Sequence, residues 1–305
     1  MAEIRIVEVS PRDGLQNESV LLTTDQKHEL VRRAVRFGAR NVEVTSFVHP
    51  GKVPAMADAE QLLARLSPAD GVVYSALVLN ERGLERAIAA GVTEVNAVVH
   101  CTDTFSRRNQ GTDIAGGVRI WQAVAARCAH AGVRANVTLA VAFGCPFEGE
   151  VTPEVVREVG GRVLDAGIPA ELSLADTIGV AVPRDVTLRV DAVRDLLPGG
   201  TALRAHFHNT RNTGVANALA AIDAGVTILD SSLGGIGGCP FAPRATGNVA
   251  TEDLVYALDR SGITHDLDPG SVHEAGEWLE AVMGRPLPAM VLHAGGFPVT
   301  RLGTG

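Results

Sequence analysis

The chain has 305 residues, of which 46% are hydrophobic and 20% charged, a globular mixture that supports a sizeable core and argues against general disorder. A formal net charge of −8, with no basic cluster interleaved with aromatics, disfavours nucleic acid as a partner and leaves a small molecule; no apolar run approaches the roughly 18 residues needed to span a membrane. Cys101, Cys128, Cys145 and Cys239 form no CxxC pair, which argues against a zinc knuckle or disulfide framework and for a reducing cytoplasm.

The N-terminal MAEIRIVEVS lacks the basic and apolar regions of a signal peptide and opens directly into a strand near 4–9. DQKHELVRRAVRF follows with helical period, Thr24 standing where it would cap that helix. Further strands are expected near 40–46, 72–79, 93–99, 134–142, 170–175, 202–207 and 227–232, with helical segments such as AEQLLARL and ERGLERAIAA between them. Five times an apolar helical segment ends in glycine and a β-branched run follows, as in RFGARNVEV and DAGVTILDSS. Gly38, Gly91, Gly132, Gly167 and Gly225 are therefore expected in the left-handed conformation just past a helix end. Eight strands alternating with helices predict an α/β chain folded as a (β/α)8 TIM barrel, ahead of a doubly wound open sheet. The expected organisation is a single domain over 1–305, with the barrel at about 4–260. Helices over about 261–292 would cover a barrel edge or pair subunits in a homo-oligomer, and a loosely held tail would occupy about 293–305.

Active sites in this fold gather at the C-terminal ends of the strands. SPRDGLQNE follows the first predicted strand, EVTSFVHPGKVPAMAD closes the second, LADTIG the sixth and AHFHN the seventh. His206 and His208, two apart on a strand, share a face and can meet one metal ion. Asp13 can join them, and Asn248 can supply an amide oxygen, giving an oxygen-rich set suited to Mg²⁺ or Mn²⁺. Taken alone, the His pair reads as polar residues at a strand terminus, and Arg12 with Asp13 as a local ion pair. Glu43 and Asp176 are placed to orient ligands, hold Arg12 or move protons; the simpler role for each is capping a loop.

After the eighth strand comes GGIGGCPFAPRATGN (234–248). Pro240 stands where a dinucleotide fingerprint needs its third glycine, and no Gly-Lys-Ser/Thr follows, so neither that motif nor a Walker A loop fits. The glycines are expected to give freedom of movement, and Cys239 to be an accessible thiol suited to acid/base or nucleophilic work. Cys128, inside a helical segment, is expected to be a small buried hydrophobe.

Together, VEVSPRDGLQNE, VEVTSFVHPGKVPAMAD, GCPFEG, SLADTIGV, HFHN and SSLGGIGGCPFAPRATGNVATEDLVYAL resemble the 3-hydroxy-3-methylglutaryl-CoA lyase family over nearly the whole chain. GGIGGCP marks the lyase branch, whereas RDGLQ and HFH alone mark the wider group of metal-dependent barrel lyases and synthases. The resemblance implies metal ligation by Asp13, His206, His208 and Asn248, an enolate-stabilising Arg12, and a loop acid/base at Cys239. It implies supporting acids at Glu43, Asp176 and Glu252, with Gln16 also at the site. The implied reaction is a retro-Claisen cleavage of a branched 3-hydroxyacyl-CoA to acetyl-CoA and a keto acid, with the divalent ion holding the 3-hydroxyl and carboxylate and His206 or Cys239 moving protons. The glycine loop would close to exclude water.

Two departures bear on specificity. The family's H-D-T-Y-G-Q becomes His208-Asn209-Thr210-Arg211-Asn212-Thr213, losing a carboxylate and gaining an arginine, and its S-P-K-W becomes His49-Pro50-Gly51-Lys52. Asn209 and Arg211 are therefore expected to influence the acyl pocket. A condensing synthase using acetyl-CoA, or a metal- or CoA-binding homologue without turnover, are the competing readings; GGCP and the complete ligand set weigh against them.

Overall fold

Residues 3–67, 71–238 and 247–297 are described by the computed structural model of the chain. Eight parallel strands close on themselves: β1 (Arg5–Glu8), β2 (Asn41–Ser46), β3 (Val73–Leu77), β4 (Glu94–His100), β5 (Arg134–Ala140), β6 (Glu171–Asp176), β7 (Ala202–Phe207) and β8 (Ile228–Ser231). Each pairs with its sequence neighbours and β1 pairs with β8, as a TIM barrel requires. A two-stranded hairpin, Gly144–Cys145 with Gly149–Glu150, decorates the loop after β5.

Helices return the chain between strands. Thr24–Arg36 buries Leu30, Val31 and Ala34 as one apolar stripe, and Ile114–Ala131 buries Trp121, Val124 and Cys128 in the same way. Cys128 is the small buried hydrophobe expected of it. The first of these helices is capped by Thr23 rather than Thr24: the Thr23 side chain accepts from the Gln26 N–H while Gln26 reaches back to the Thr23 N–H, and Thr24 Oγ1 donates to Asp58 at 2.8 Å. Reciprocal capping needs a Glu or Gln three residues on, and only Thr23 has one in Gln26.

Four of the five helix-ending glycines, Gly38, Gly91, Gly132 and Gly225, adopt positive φ. Gly167 does not; at φ 172° its backbone is extended. Close packing explains the glycine there, because a Cβ would sit 2.7 Å from Cβ of Ala125. The indole N–H of Trp121 also donates to the carbonyls of Val163 and Gly167.

Beyond β8 lie helices Thr251–Arg260, Pro269–Met283 and Met290–Ala294. Helix 269–283 packs along helix 24–36, is tied to it where the Asp268 N–H donates to the Phe37 carbonyl, and reaches the 233–235 turn at the far end of the barrel. The last helix runs to Ala294, past the 292 expected for the helical extension, held where Asp253 accepts from the N–H groups of Met290 and Val291. Among the described residues no helix is long and apolar enough to cross a membrane.

Parity along the strands decides what reaches the centre. On β4, Val95, Ala97 and Val99 are buried toward the helices, while Asn96, Val98 and His100 line the central cavity. On β7, Leu203, Ala205 and Phe207 face out and Arg204, His206 and His208 face in.

Candidate metal and active site

The site begins at a single π-type turn, Ser10–Gly14, directly after β1, in which the Gly14 N–H donates to the Val9 carbonyl five residues back. The turn carries Arg12 and Asp13 into the barrel mouth. Arg12 Nε donates to Glu43 Oε2 at 2.7 Å, its Nη2 lies 2.6 Å from the same oxygen, and its Nη1 donates to Asp13 Oδ1 at 2.6 Å. The local ion pair is thus present, as one part of a larger arrangement. Glu43 is buried midway along β2 and holds the guanidinium. Three of the five guanidinium N–H groups are accounted for, which leaves two for the cavity that Arg12 lines.

Asp13, His206 and His208 each offer a ligand atom, and these atoms lie within 4.8 Å of one another. Asn248 reaches them because its backbone bridges His208 and the Val249 N–H donates to the Phe207 carbonyl. Its Nδ2 donates to Asp13 Oδ2 at 2.8 Å and to the Ile236 carbonyl at 3.0 Å, while its Oδ1, although buried, has no partner. The buried Nδ1 of His208 has none either. Two orphaned acceptor-capable atoms beside a carboxylate and a second imidazole fit a divalent cation, since buried polar atoms are otherwise nearly always satisfied.

At Asp13 and His208 the electrostatics agree with ligation. Burial favours a neutral Asp13 carboxyl, but Arg12, His206 and His208 outweigh it and hold the group well below the ordinary carboxylate range. Burial, reinforced by His206, pushes His208 down to about 4, which keeps it neutral and able to bind metal. His206 is raised: burial opposes its charge, but Asp230 and Asp13 favour it.

Asp230 was not anticipated, and it organises His206. Its Oδ2 lies 3.0 Å from His206 Nδ1, so that nitrogen carries the proton and Nε2, 3.9 Å from Asp13 Oδ2, is the one turned to the ligand cluster. Its other oxygen accepts from Arg204 Nε at 2.6 Å. Arg204 is 2% exposed and continues to Glu171 at 3.4 Å, from which Arg5 and Arg134 lead to the opposite barrel mouth. The barrel interior below the site is therefore an ionic ladder rather than the usual layers of branched apolar residues. Its sequence signal is a charged residue at inward parity within a strand: Glu94, Glu171, Arg204 and Asp230.

Glu8 was missed as well. It is fully buried on the outward side of β1 and accepts from the N–H groups of Ser10 and Leu233 and from Thr251 Oγ1, tying the Arg12 turn to the glycine loop. Glu252 accepts the Gly234 N–H on both oxygens at 2.9 Å. Burial pushes its carboxyl up to about 8, with Glu8 and Asp253 adding repulsion.

The remaining expected residues divide. Gln16 lines the cavity and accepts from Ser46 Oγ at 3.2 Å. Asp176 lies at outward parity on β6 and accepts from the N–H groups of Val180 and Ala181, capping the following loop, while Ala175 and Thr177 line the cavity. Asn209 and Arg211 do not line it: Asn209 accepts from the Gly214 N–H, and Arg211 donates to the Ile178 and Gly179 carbonyls. Cys239 lies outside the described residues. Gly234, Gly235 and Gly237 are buried and closely packed: at Gly237, φ is 106° and a Cβ would stand 2.6 Å from Asn248 Nδ2.

The profile of the HMGL-like family matches residues 3–279. An (R)-citramalyl-CoA lyase of Chloroflexus aurantiacus is 42% identical over 97% of this chain and 96% of its own. The hydroxymethylglutaryl-CoA lyase YngG of Bacillus subtilis is 38% identical over 94% of this chain and 95% of its own. The solved structure of an HMG-CoA lyase from Acinetobacter baumannii, in complex with coenzyme A and 3-methylmalate, superposes with a TM-score of 0.92 at 34% identity, covering 98% of this chain and 97% of that one. With likeness of that extent in both sequence and structure, the chain belongs to the HMGL-like family and is a carbon–carbon lyase.

Proposed function

We propose that the protein is a divalent-metal-dependent lyase, using Mg²⁺ or Mn²⁺, that cleaves a branched 3-hydroxyacyl-CoA to acetyl-CoA and a keto acid. The observation that carries this reading is the convergence of Asp13, His206, His208 and the unpartnered Asn248 oxygen beside Arg12 at the C-terminal mouth of the barrel.

Asp13, His206, His208 and Asn248 would hold the cation. When bound, it supplies Lewis acidity that lowers the pKa of the substrate's 3-hydroxyl. The chain's own groups do the rest. As the hydroxyl loses its proton, the C2–C3 bond breaks, C3 becomes the ketone of the keto acid, and the electron pair passes to C2 and the thioester oxygen. The two N–H groups of Arg12 not held by Glu43 and Asp13 face that oxygen and offset its charge. The proton taken from the hydroxyl is returned to C2, which completes acetyl-CoA, and Cys239 is the group that would move it, since both ring nitrogens of His206 are committed. Substrate and products balance without water or an oxidant, so excluding water costs the reaction nothing.

3-Hydroxy-3-methylglutaryl-CoA would give acetoacetate. Citramalyl-CoA, with its carboxylate on the carbinol carbon, would give pyruvate; the 42% identical Chloroflexus lyase favours including it. The test is purified protein with Mg²⁺ or Mn²⁺ and each ester, following acetyl-CoA and the two keto acids separately. Metal-loaded protein that cleaves neither ester would refute the reading.

A further inference from the structure

Below the candidate metal site the barrel interior is filled in two ways. Inward parity along β1 and β8 brings Val7, Val9 and Ile228 together as an apolar cluster separate from the main core, with Ala202 of β7 packed on it. Arg204, in register with Ile228 on the neighbouring strand, is instead a buried charge, 2% exposed. Taking a guanidinium out of water is costly, and well-packed apolar residues replace buried ion pairs with little or no loss of stability. Stability alone therefore gives no reason for an arginine beside a ready apolar cluster.

The contacts of Arg204 run in one direction. At the N-terminal mouth, Glu171 Oε1 accepts from two partly exposed arginines, Arg5 and, at 3.3 Å, Arg134 Nη2. Glu171 is thereby fixed from below, and its other oxygen lies 3.4 Å from Arg204 Nη1. On the upper side Arg204 Nε donates to Asp230 Oδ1 at 2.6 Å, and Asp230 Oδ2 meets His206 Nδ1 at 3.0 Å. A planar guanidinium engaged through two separate N–H groups has a fixed plane, so it fixes the carboxylate it donates to. Among the described residues Asp230 bonds to Arg204 and His206 alone, so without Arg204 nothing else sets its orientation.

We propose that Arg204 is a positioning residue for the reaction: held by Glu171 and acting through Asp230, it keeps the His206 ring turned with Nε2 toward the ligand cluster. This rests on the metal-dependent lyase reading. Arg204 itself neither lines the cavity nor belongs to the ligand cluster. Its effect reaches the site through two hydrogen bonds, and the anchor of that chain lies at the N-terminal end of the barrel. That end ordinarily serves stability in this fold, and here it bears on the chemistry.

Arg204→Lys tests this, because it keeps the buried positive charge and loses the planar fork that holds both carboxylates. In metal-free protein the ¹⁵N shifts of His206 should move from a ring protonated at Nδ1 toward a mixture of the two tautomers. Mn²⁺ affinity, read by electron paramagnetic resonance, should fall by about 10-fold, the lower end for loss of a partner that orients a ligand. In an Asp230→Asn background the same substitution should change Mn²⁺ affinity by less than about 2-fold, because its route to His206 is already cut. Should Arg204→Lys fold poorly, Arg204→Met combined with Glu171→Gln removes one charge of each sign and should show the same tautomer shift. A folded variant with the wild-type tautomer and wild-type Mn²⁺ affinity overturns the positioning role, as does an effect that adds in full to that of Asp230→Asn. The tautomer is read without metal or substrate, so the two readings fail separately. A tautomer shift in a protein that cleaves no ester sinks the lyase reading and leaves the orienting of His206; cleavage with a tautomer indifferent to Arg204 does the reverse.

Discussion

Replacing Asp230 with asparagine tests whether the ladder beneath the site sets the metal affinity. In the wild-type chain one carboxylate oxygen accepts from Arg204 at 2.6 Å and the other faces His206 Nδ1 at 3.0 Å. Arg204 is donor-only and 2% exposed, so in Asp230→Asn it claims the amide oxygen. The amide NH₂ is then turned to His206 Nδ1, which must become an acceptor. The ring proton moves to Nε2, the nitrogen that faces Asp13, and the tautomer is wrong for ligation. Loss of such a partner costs about 10–100-fold in metal affinity, or roughly 1.4–2.7 kcal/mol. Stability should fall too, because Arg204 keeps only Glu171, at 3.4 Å; one partner removed from a buried ion pair costs about 3–5 kcal/mol. Mn²⁺ titration followed by electron paramagnetic resonance, with a urea melt to establish folding, reads both effects. A folded Asp230→Asn protein that binds Mn²⁺ as tightly as wild type would refute the tautomer reasoning.

Other outcomes follow from the same contacts. The Glu252 carboxyl, pushed up to about 8 by burial, holds its proton in the folded state while the unfolded chain ionises near 4.5, so stability should fall as pH rises through that window, with a limiting slope of about 1.36 kcal/mol per pH unit. Glu252→Gln keeps an acceptor for the Gly234 N–H and should flatten the slope in denaturant melts from pH 5 to 8.5; an unchanged slope assigns it elsewhere. Gly237→Ala would place a Cβ 2.6 Å from Asn248 Nδ2 and 2.9 Å from the Asp13 carbonyl at φ 106°, and should cost about 1–3 kcal/mol of stability along with Mn²⁺ affinity, both measurable by calorimetry. Arg12→Lys removes the fork that holds Glu43 and Asp13 and should lower kcat by about 10²–10³ with little change in KM; a kcat near wild type would take the enolate role from Arg12. Cys239→Ala should lower turnover by about 10²–10⁴ with metal affinity nearly unchanged, and a fully active variant would remove its acid/base role.

The barrel was legible because helix-glycine-strand phrases repeat, and each predicted strand overlaps an observed one. The residues at its mouth were partly legible, because the fold itself says where to look. Parity separates the rest. Asp176 and His206 both lie near strand ends, but counting by twos along β6 from Glu171, whose carboxylate meets Arg204 inside the barrel, puts Asp176 on the helix side, where it caps a loop. The ladder from Glu171 through Arg204 to Asp230 was not legible from motifs, since its members lie on three different strands and meet only when those strands pair. Asn209 and Arg211 show the opposite limit. A change of residue type beside a ligand looked like a change of pocket, yet both side chains are committed to backbone groups of neighbouring loops.

The glycine-rich stretch changes meaning once its backbone is seen. Freedom of movement predicts exposed glycines with few neighbours, yet Gly234, Gly235 and Gly237 are buried at φ values of 68°, 68° and 106°. Gly237 lets the chain lie against Asp13, Gly14 and Asn248, and Gly234 lets it lie against Leu287, at distances no side chain permits. Glu8 and Glu252 then clamp the Leu233 and Gly234 N–H groups, and Asn17 holds the Gly238 carbonyl at 2.9 Å. The same Glu8 fixes the Ser10 N–H at the head of the turn that carries Arg12 and Asp13. One buried carboxylate therefore sets the distance between the Arg12 turn and the segment leading to Cys239. Residues 234–238 are thus held against the Arg12 turn by these contacts, and Gly238 lines the cavity.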